Sequence, residues 1–195
     1  MPALWRLFVA IELPHEVLRA IGRLQADIQR AVPDRTASWV RPDGIHLTLK
    51  FLGDAPVTQV DALAAALASA AAEHHCFKLS LEGVGCFPST HRPRVLWIGV
   101  GGDLRQLSAL QASVERHISP LGYPPEDRSF SPHLTLARAR RGARPEEVAA
   151  LGRAADTHSL KQAVAWQVDA ISLIRSRLDP GGAIYTQVGR ADLVP

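Results

Sequence analysis

The tetrapeptide His46-Leu47-Thr48-Leu49 recurs unchanged as His133-Leu134-Thr135-Leu136, 87 positions further along a chain of 195 residues. A repeated tetrapeptide of some kind is expected about once by chance at this length. A second copy of this one has a chance expectation on the order of 0.004 from the His, Leu and Thr frequencies. The first copy lies in Ile45 to Leu52, rich in β-branched and apolar residues, and the second in His133 to Arg138; both read as strands. Side chains alternate along a strand, so each copy sends an imidazole and a hydroxyl to one face and anchors itself with two leucines on the other. The midpoint of the chain falls between the copies, as a duplicated two-lobe architecture requires. Two such strands side by side about a pseudo-twofold axis gather two imidazoles and two hydroxyls around one point.

The rest of the chain supplies elements to carry them. Trp5 to Glu12 reads as a buried strand stopped by Pro14, and Val17, Leu18, Ile21, Leu24 and Ile28 recur at helical spacing up to Pro33. Trp39-Val40 reads as a short strand broken by the turn signal Arg41-Pro42-Asp43-Gly44. An alanine-rich helix is expected from Thr58 to Glu73, then a half-buried strand in which Phe77, Leu79 and Leu81 alternate with Lys78, Ser80 and Glu82. A fully buried strand over Arg94 to Val100 and a helix from Leu104 to Ile118, stopped by Pro120, follow. Gly122 to Pro132 reads as a loop, Pro145 to Ala155 as a helix, and strands are expected around Ala163 to Ile174 and Ile184 to Val188. Helices and strands mix with hairpin-like spacing as well as crossovers, which makes the class α+β. No low-complexity linker divides the chain, so residues 1–195 are expected to form one domain of two lobes packed on each other.

Composition narrows the function. With 47% hydrophobic residues and a net charge of +3 the chain can build a core, which disordered chains cannot. No apolar run reaches the roughly 18 residues of a membrane span, and the start lacks a signal-peptide pattern. A cytoplasmic protein that touches no membrane is the expectation, and a monomer. Cys76 and Cys86 form no Cys-x-x-Cys. His74-His75-Cys76 with Cys86 and His91 offers metal-ligand types at a spacing that matches no familiar zinc pattern, so no metal is assigned. Gly99-Val-Gly-Gly102, placed between a strand and a helix, reads as a tight turn rather than a phosphate cradle. Arginines outnumber lysines 19 to three, and arginine forks suit phosphate. The runs His91 to Arg94 and Arg138 to Arg144 offer either an RNA-backbone patch or solvated loops.

Two histidines facing one centre suit phosphodiester cleavage. A neutral imidazole removes a proton from the attacking oxygen while a protonated one supplies the leaving oxygen. The threonine hydroxyls donate to the non-bridging phosphoryl oxygens, where charge builds. This division of labour calls for neither metal nor nucleotide cofactor.

On these residues the chain resembles the 2H phosphoesterase superfamily, and within it the bacterial and archaeal RNA 2′,3′-cyclic phosphodiesterases, also called 2′-5′ RNA ligases. The resemblance extends to Arg6-Leu-Phe-Val-Ala-Ile-Glu-Leu-Pro14, His46-Leu-Thr-Leu-Lys-Phe-Leu-Gly53, Arg94-Val-Leu-Trp-Ile-Gly99, Phe130-Ser-Pro-His-Leu-Thr-Leu-Ala-Arg138 and the Gly-rich turn and tyrosine of Ser176 to Tyr185. It implies a bilobal α+β fold with antiparallel sheets lining a central cleft and helices outside. It also implies that RNA or nucleotides ending in a 2′,3′-cyclic phosphate are hydrolysed to 2′-phosphomonoesters. His46 would be the proton donor and His133 the proton acceptor, Thr48 and Thr135 would hold the phosphate, Phe51 would stack on the base and Arg138 would lie near the phosphate. Strict alternation puts Phe51 and Arg138 on the leucine face. Either a bulge or the strand end turns them to the cleft, or they are packing and surface residues. The alternatives are the same chemistry reversed, joining RNA ends through a 2′-5′ linkage, or an inactive RNA-binding module. An ATP-dependent ligase with a lysine adduct fits poorly, because Lys50-Phe-Leu-Gly53 lacks the acidic residue expected before the glycine.

Overall fold

A computed structural model describes residues 3–179 and 182–195. In chain order the elements are β1 (Leu4–Glu12), α1 (His15–Ala31), β2 (Ala37–Trp39), β3 (His46–Pro56), α2 (Val60–Ala71), β4 (Phe77–Phe87), β5 (Val95–Gly102), α3 (Leu104–Ile118), β6 (His133–Ala139), α4 (Pro145–Thr157), β7 (Ala165–Val168), β8 (Ala170–Asp179) and β9 (Gly182–Asp192). The strands form two antiparallel sheets, ordered β3-β1-β8-β9 and β2-β6-β5-β4-β7. The architecture is α+β with two lobes, as expected.

Each sheet buries one face under helices. Val17, Ile21, Leu24 and Ile28 form the inward stripe of α1, and Leu63 and Leu67 that of α2, which lies on β8 and β9. Leu151, Ala154 and Ala155 bring α4 onto β4 and β5. One apolar cluster runs through both sheets and includes Leu47, Leu49, Leu134 and Leu136. Truncating any of these four to Ala removes contacts the packed surroundings cannot replace, at about 2–5 kcal/mol. Phe8, Ala10 and Ile174 form a separate small cluster on the opposite face of the first sheet, the face that carries His46.

Three boundaries differ from the sequence reading for physical reasons. The stretch read as one strand region from Ala163 to Ile174 is two strands in different sheets, β7 beside β4 and β8 beside β1, with Asp169 between them. The region Ile184 to Val188 belongs to a longer hairpin with β8, whose pairing runs from Ala170↔Asp192 to Asp179↔Gly182. Residues 180 and 181 of the expected Gly-rich turn lie outside the described residues. Gly99 to Gly102 is neither a turn nor a cradle: it is the end of β5, paired with Leu79 to Glu82 of β4. A Cβ on Gly99 would sit 2.4 Å from the Glu82 carbonyl oxygen, and Gly102, at φ +88°, would put one 2.7 Å from the Lys78 carbonyl. Glycine is there because two backbones approach too closely for any side chain.

Both motif strands are broken at the same place. Ala10 pairs with Thr48 and Val9 with Lys50, leaving Leu49 without a partner; Trp97 pairs with Thr135 and Leu96 with Ala137, leaving Leu136 without one. An extra residue reverses the parity of everything after it. Leu49 and Lys50 therefore both turn inward, as do Leu136 and Ala137, and Phe51 and Arg138 return to the histidine face, where both are exposed. The conflict between strict alternation and a substrate role for these two residues is resolved by a bulge used twice.

Candidate active site

β3 is the outer strand of its sheet and lies against β6 of the other, which brings the two motifs together along the cleft. Thr48 of the first motif and His133 of the second line one cavity of about 720 Å³.

The histidines are held alike. His46 Nδ1 lies 2.9 Å from the Gly44 carbonyl oxygen, and His133 Nδ1 lies 2.8 Å from that of Ser131, in each case two residues upstream. A carbonyl only accepts, so Nδ1 carries the proton in both rings, whatever their charge. Nε2 is consequently the titrating nitrogen of each: a lone pair when the ring is neutral, an N–H donor when it is charged. No side-chain signal marks these supports, because the partner is backbone.

Their surroundings differ. His46 stacks on Phe8 at a centroid distance of 4.5 Å and meets the edge of Tyr185 at 5.0 Å. Burial in this aromatic corner pushes its pKa below the ordinary 6.5, while the bond to the Gly44 carbonyl and the negative charge of Glu12, its partner across β1 and β3, oppose the shift. Glu12 is held in turn by Ser172 Oγ at 2.6 Å and Gln187 Nε2 at 2.5 Å. His133 meets the edge of Phe87 at 4.9 Å, and Phe87 rests on Trp97. Phe8, Phe87 and Tyr185 thus orient the catalytic candidates; of the three, Phe8 and Tyr185 lie in stretches that carry the family resemblance, and Phe87 does not.

Phe51 and Arg138 stand at opposite ends of the cleft. Phe51, 63% exposed, lines the cavity of Thr48 and His133 together with Phe87, Phe130, Arg94 and Arg128. Arg138 lines a second cavity, of about 490 Å³, with Arg41, Ser38, Gly44 and Tyr185. Thr135 is half-buried beside Trp97 in register and lines neither cavity. The bulge makes Lys50 part of the frame rather than the chemistry. It is 1% exposed, and its Nζ donates to Glu115 Oε2 at 2.5 Å and to the Pro124 carbonyl at 2.8 Å. Buried and held by these two acceptors, its Nζ is closed to a nucleotide in the cleft, which removes the lysine-adduct reading on geometric grounds.

The features set aside earlier take structural roles. His74 Nε2 lies 2.8 Å from Ser113 Oγ, and His117 Nε2 lies 2.8 Å from Glu73 Oε1. Glu73 also accepts from Ser113 and Arg116, and these donors hold its carboxyl down at about 2. Within the run Arg138 to Arg144, Arg140 bonds the Ala37 carbonyl and Arg144 caps α4 through Glu147. Among the described residues no three His, Cys, Asp or Glu side chains gather as a metal site, and no helix is long and apolar enough to cross a membrane.

A family model described as LigT like Phosphoesterase matches the chain twice, over residues 11–97 and 100–185, one match for each motif. The chain is 36% identical over 168 residues to an RNA 2′,3′-cyclic phosphodiesterase of Aeropyrum pernix, covering 85% of this chain and 90% of that protein. It is 34% identical over 165 residues to a protein of the same name from Geobacillus stearothermophilus; the match takes in 83% of this chain and 52% of that relative, about half its length. Among solved structures, E. coli LigT complexed with 3′-AMP superimposes with a TM-score of 0.79 at 26% identity, covering 98% of this chain and 99% of that one.

Proposed function

Since this chain belongs to the LigT-like phosphoesterase family, we propose that it is an RNA 2′,3′-cyclic phosphodiesterase that opens the cyclic phosphate to a 2′-phosphomonoester by two-histidine acid–base catalysis. The observation that carries the reading is the shared support of His46 and His133, whose Nδ1 atoms are both committed to a backbone carbonyl and whose Nε2 atoms are both left to titrate.

His133 Nε2 takes a proton from water as the water oxygen attacks phosphorus. The bond from phosphorus to the ribose 3′-oxygen breaks, and His46 Nε2–H delivers a proton to that oxygen. Thr48 and Thr135 donate to the non-bridging oxygens as charge accumulates there. His133 ends charged and His46 neutral, and exchange with solvent resets both. A depressed pKa makes protonated His46 a strong acid but a scarce one in the free protein. The cyclic phosphate brings a negative charge beside the ring and favours its protonated form in the complex.

The test is hydrolysis of a nucleoside 2′,3′-cyclic phosphate with chromatographic separation of the 2′- and 3′-phosphate products. The 2′-phosphate is expected, and His46→Ala and His133→Ala should each lower turnover at least about a hundredfold. Full activity in either variant, or a 3′-phosphate product, would overturn the mechanism.

A further inference from the structure

The aromatic end of the cleft suits a base, and the polar atoms around it decide which one. Every base has a π-face, so stacking on Phe51 does not choose among the four. Choice comes from hydrogen bonds to the base edge, made by atoms the fold has not already used. Glu115 and Gln111, which line the cavity, are used. Glu115 takes the Lys50 ammonium and the Gln111 amide, and that amide also donates to the Leu49 carbonyl. Glu126 is used only in part: its Oε1 accepts from the Phe51 N–H at 3.3 Å, and its Oε2 has no partner among the described residues. The guanidinium groups of Arg94 and Arg128, which line the same cavity, have none either.

The fold also aims this carboxylate. Lys50 and Phe51 follow one another on β3, and the loop before β6 is tied to both. The Lys50 Nζ donates to the Pro124 carbonyl at 2.8 Å, and the Phe51 N–H donates to Glu126 two residues further on. Just upstream, the Tyr123 hydroxyl donates to Gln59 Oε1 at 2.5 Å. One hydrogen bond therefore joins the carboxylate to the backbone of the residue whose ring carries the base.

A carboxylate only accepts, and a guanidinium only donates. Guanine offers the carboxylate two neighbouring donors, N1–H and N2–H, and sets its O6 acceptor beside them for an arginine. Adenine and cytosine each offer one amino group, next to a ring nitrogen whose lone pair repels a carboxylate. Uracil offers one N–H between two carbonyl oxygens. We infer that Glu126 reads the edge of the base stacked on Phe51 and makes guanine the preferred base of the reacting nucleotide, with the arginines donating to O6. This rests on the cyclic phosphodiesterase reading above and adds to it a choice among bases.

The experiment compares kcat/KM for guanosine, adenosine, cytidine and uridine 2′,3′-cyclic phosphates, and for the inosine compound, which is guanosine without its N2 amino group. Guanosine should exceed adenosine and cytidine about tenfold, the lower end of what a bidentate base contact discriminates, and uridine should be lowest. Inosine, which keeps N1–H and loses N2–H, should fall between guanosine and adenosine. In Glu126→Ala the guanosine advantage over adenosine should shrink to within about twofold. The inosine comparison takes the donor from the substrate and leaves the protein intact, so it does not depend on how the loop settles in the variant. Equal kcat/KM for the four bases, or preference for a base other than guanine, would overturn the edge reading and leave the phosphodiesterase reading standing. Inosine equal to guanosine would overturn it too. So would a Glu126→Ala protein that loses activity on all four bases in proportion, which would make Glu126 a tie for the loop. No turnover of any of the five compounds would remove the phosphodiesterase reading itself, and the base reading with it.

Discussion

The two halves of the cleft share a backbone and differ in what covers their outer edges. Both motif strands place the histidine two residues after its supporting carbonyl, and both carry a bulge at the second leucine. The outer edge of β6 is closed by β2, through Ala37 to Trp39. Among the described residues no strand lies beside the outer edge of β3; Lys50, turned inward by the bulge, reaches the Pro124 carbonyl, and the Phe51 N–H bonds Glu126. The position of Lys50 is taken in the other motif by Ala137, which has nothing to reach for. What holds the two histidines is kept twice, and what closes the two outer edges has diverged.

The sharpest break of that comparison is at the shared feature. His46→Gln and His133→Gln keep a polar side chain but no titrating nitrogen, so each should lower kcat by about 10²–10⁴-fold. If one variant retains activity within tenfold of wild type, the halves are not chemically paired, and steady-state kinetics on a nucleoside cyclic phosphate would show it.

The edges should differ in stability. Lys50→Met leaves the partly buried Glu115 without its cation, with Gln111 as its remaining side-chain partner at 3.1 Å, and should destabilise the protein by about 3 kcal/mol in denaturant unfolding. Adding Glu115→Leu removes the stranded charge and should recover most of the loss, because the penalty comes from the unpaired ion and not from lost packing. A double variant no more stable than the single one would show that the ion pair is not what closes this edge.

The ends should differ in what they read. Phe51→Ala should cost about 1–3 kcal/mol in kcat/KM for any nucleoside 2′,3′-cyclic phosphate, the worth of one stacked base. It should leave ribose 2′,3′-cyclic phosphate, which has no base, close to its wild-type rate. An equal loss on the baseless substrate would make Phe51 part of the frame, like Lys50.

How far the sequence carries depends on what each feature is made of. The leucine and histidine alternation of His46 to Leu49 is local, and the strands it implies are where they were expected. The bulges are not local: they arise from how β3 and β6 pair with β1 and β5, so Phe51 and Arg138 could be assigned a role only by resemblance until the pairing was seen. Lys50 reads as a solvated lysine in any local window, since its burial depends on Glu115, 65 residues away. Asp169 looks like one polar residue in a long strand because the switch between sheets is a property of topology. Supports made of backbone, such as Gly44 and Ser131, leave no mark in residue type at all.

The smallest expected effect separates the two histidines by pH. Burial holds the folded pKa of His46 below 6.5. Between the folded and unfolded values the unfolded chain binds the extra proton, so stability is complete above 6.5 and falls as pH drops through that value. His46→Gln should flatten this acid-side loss in denaturant unfolding measured between pH 7.5 and about 5. The same shift places the alkaline limb that His46, as proton donor, gives to kcat/KM below the ordinary histidine range, and puts the limb for kcat higher, where bound phosphate opposes burial. Glu12→Gln removes the carboxylate that counters burial, so it should move the kcat/KM limb to still lower pH, by less than about one unit. Tyr185 borders the same ring and stays neutral across this range, burial having raised its pKa. If Glu12→Gln instead moves the acid limb to lower pH and leaves the alkaline limb in place, His46 works from its neutral form, and the acid and base assignments of the two motifs exchange.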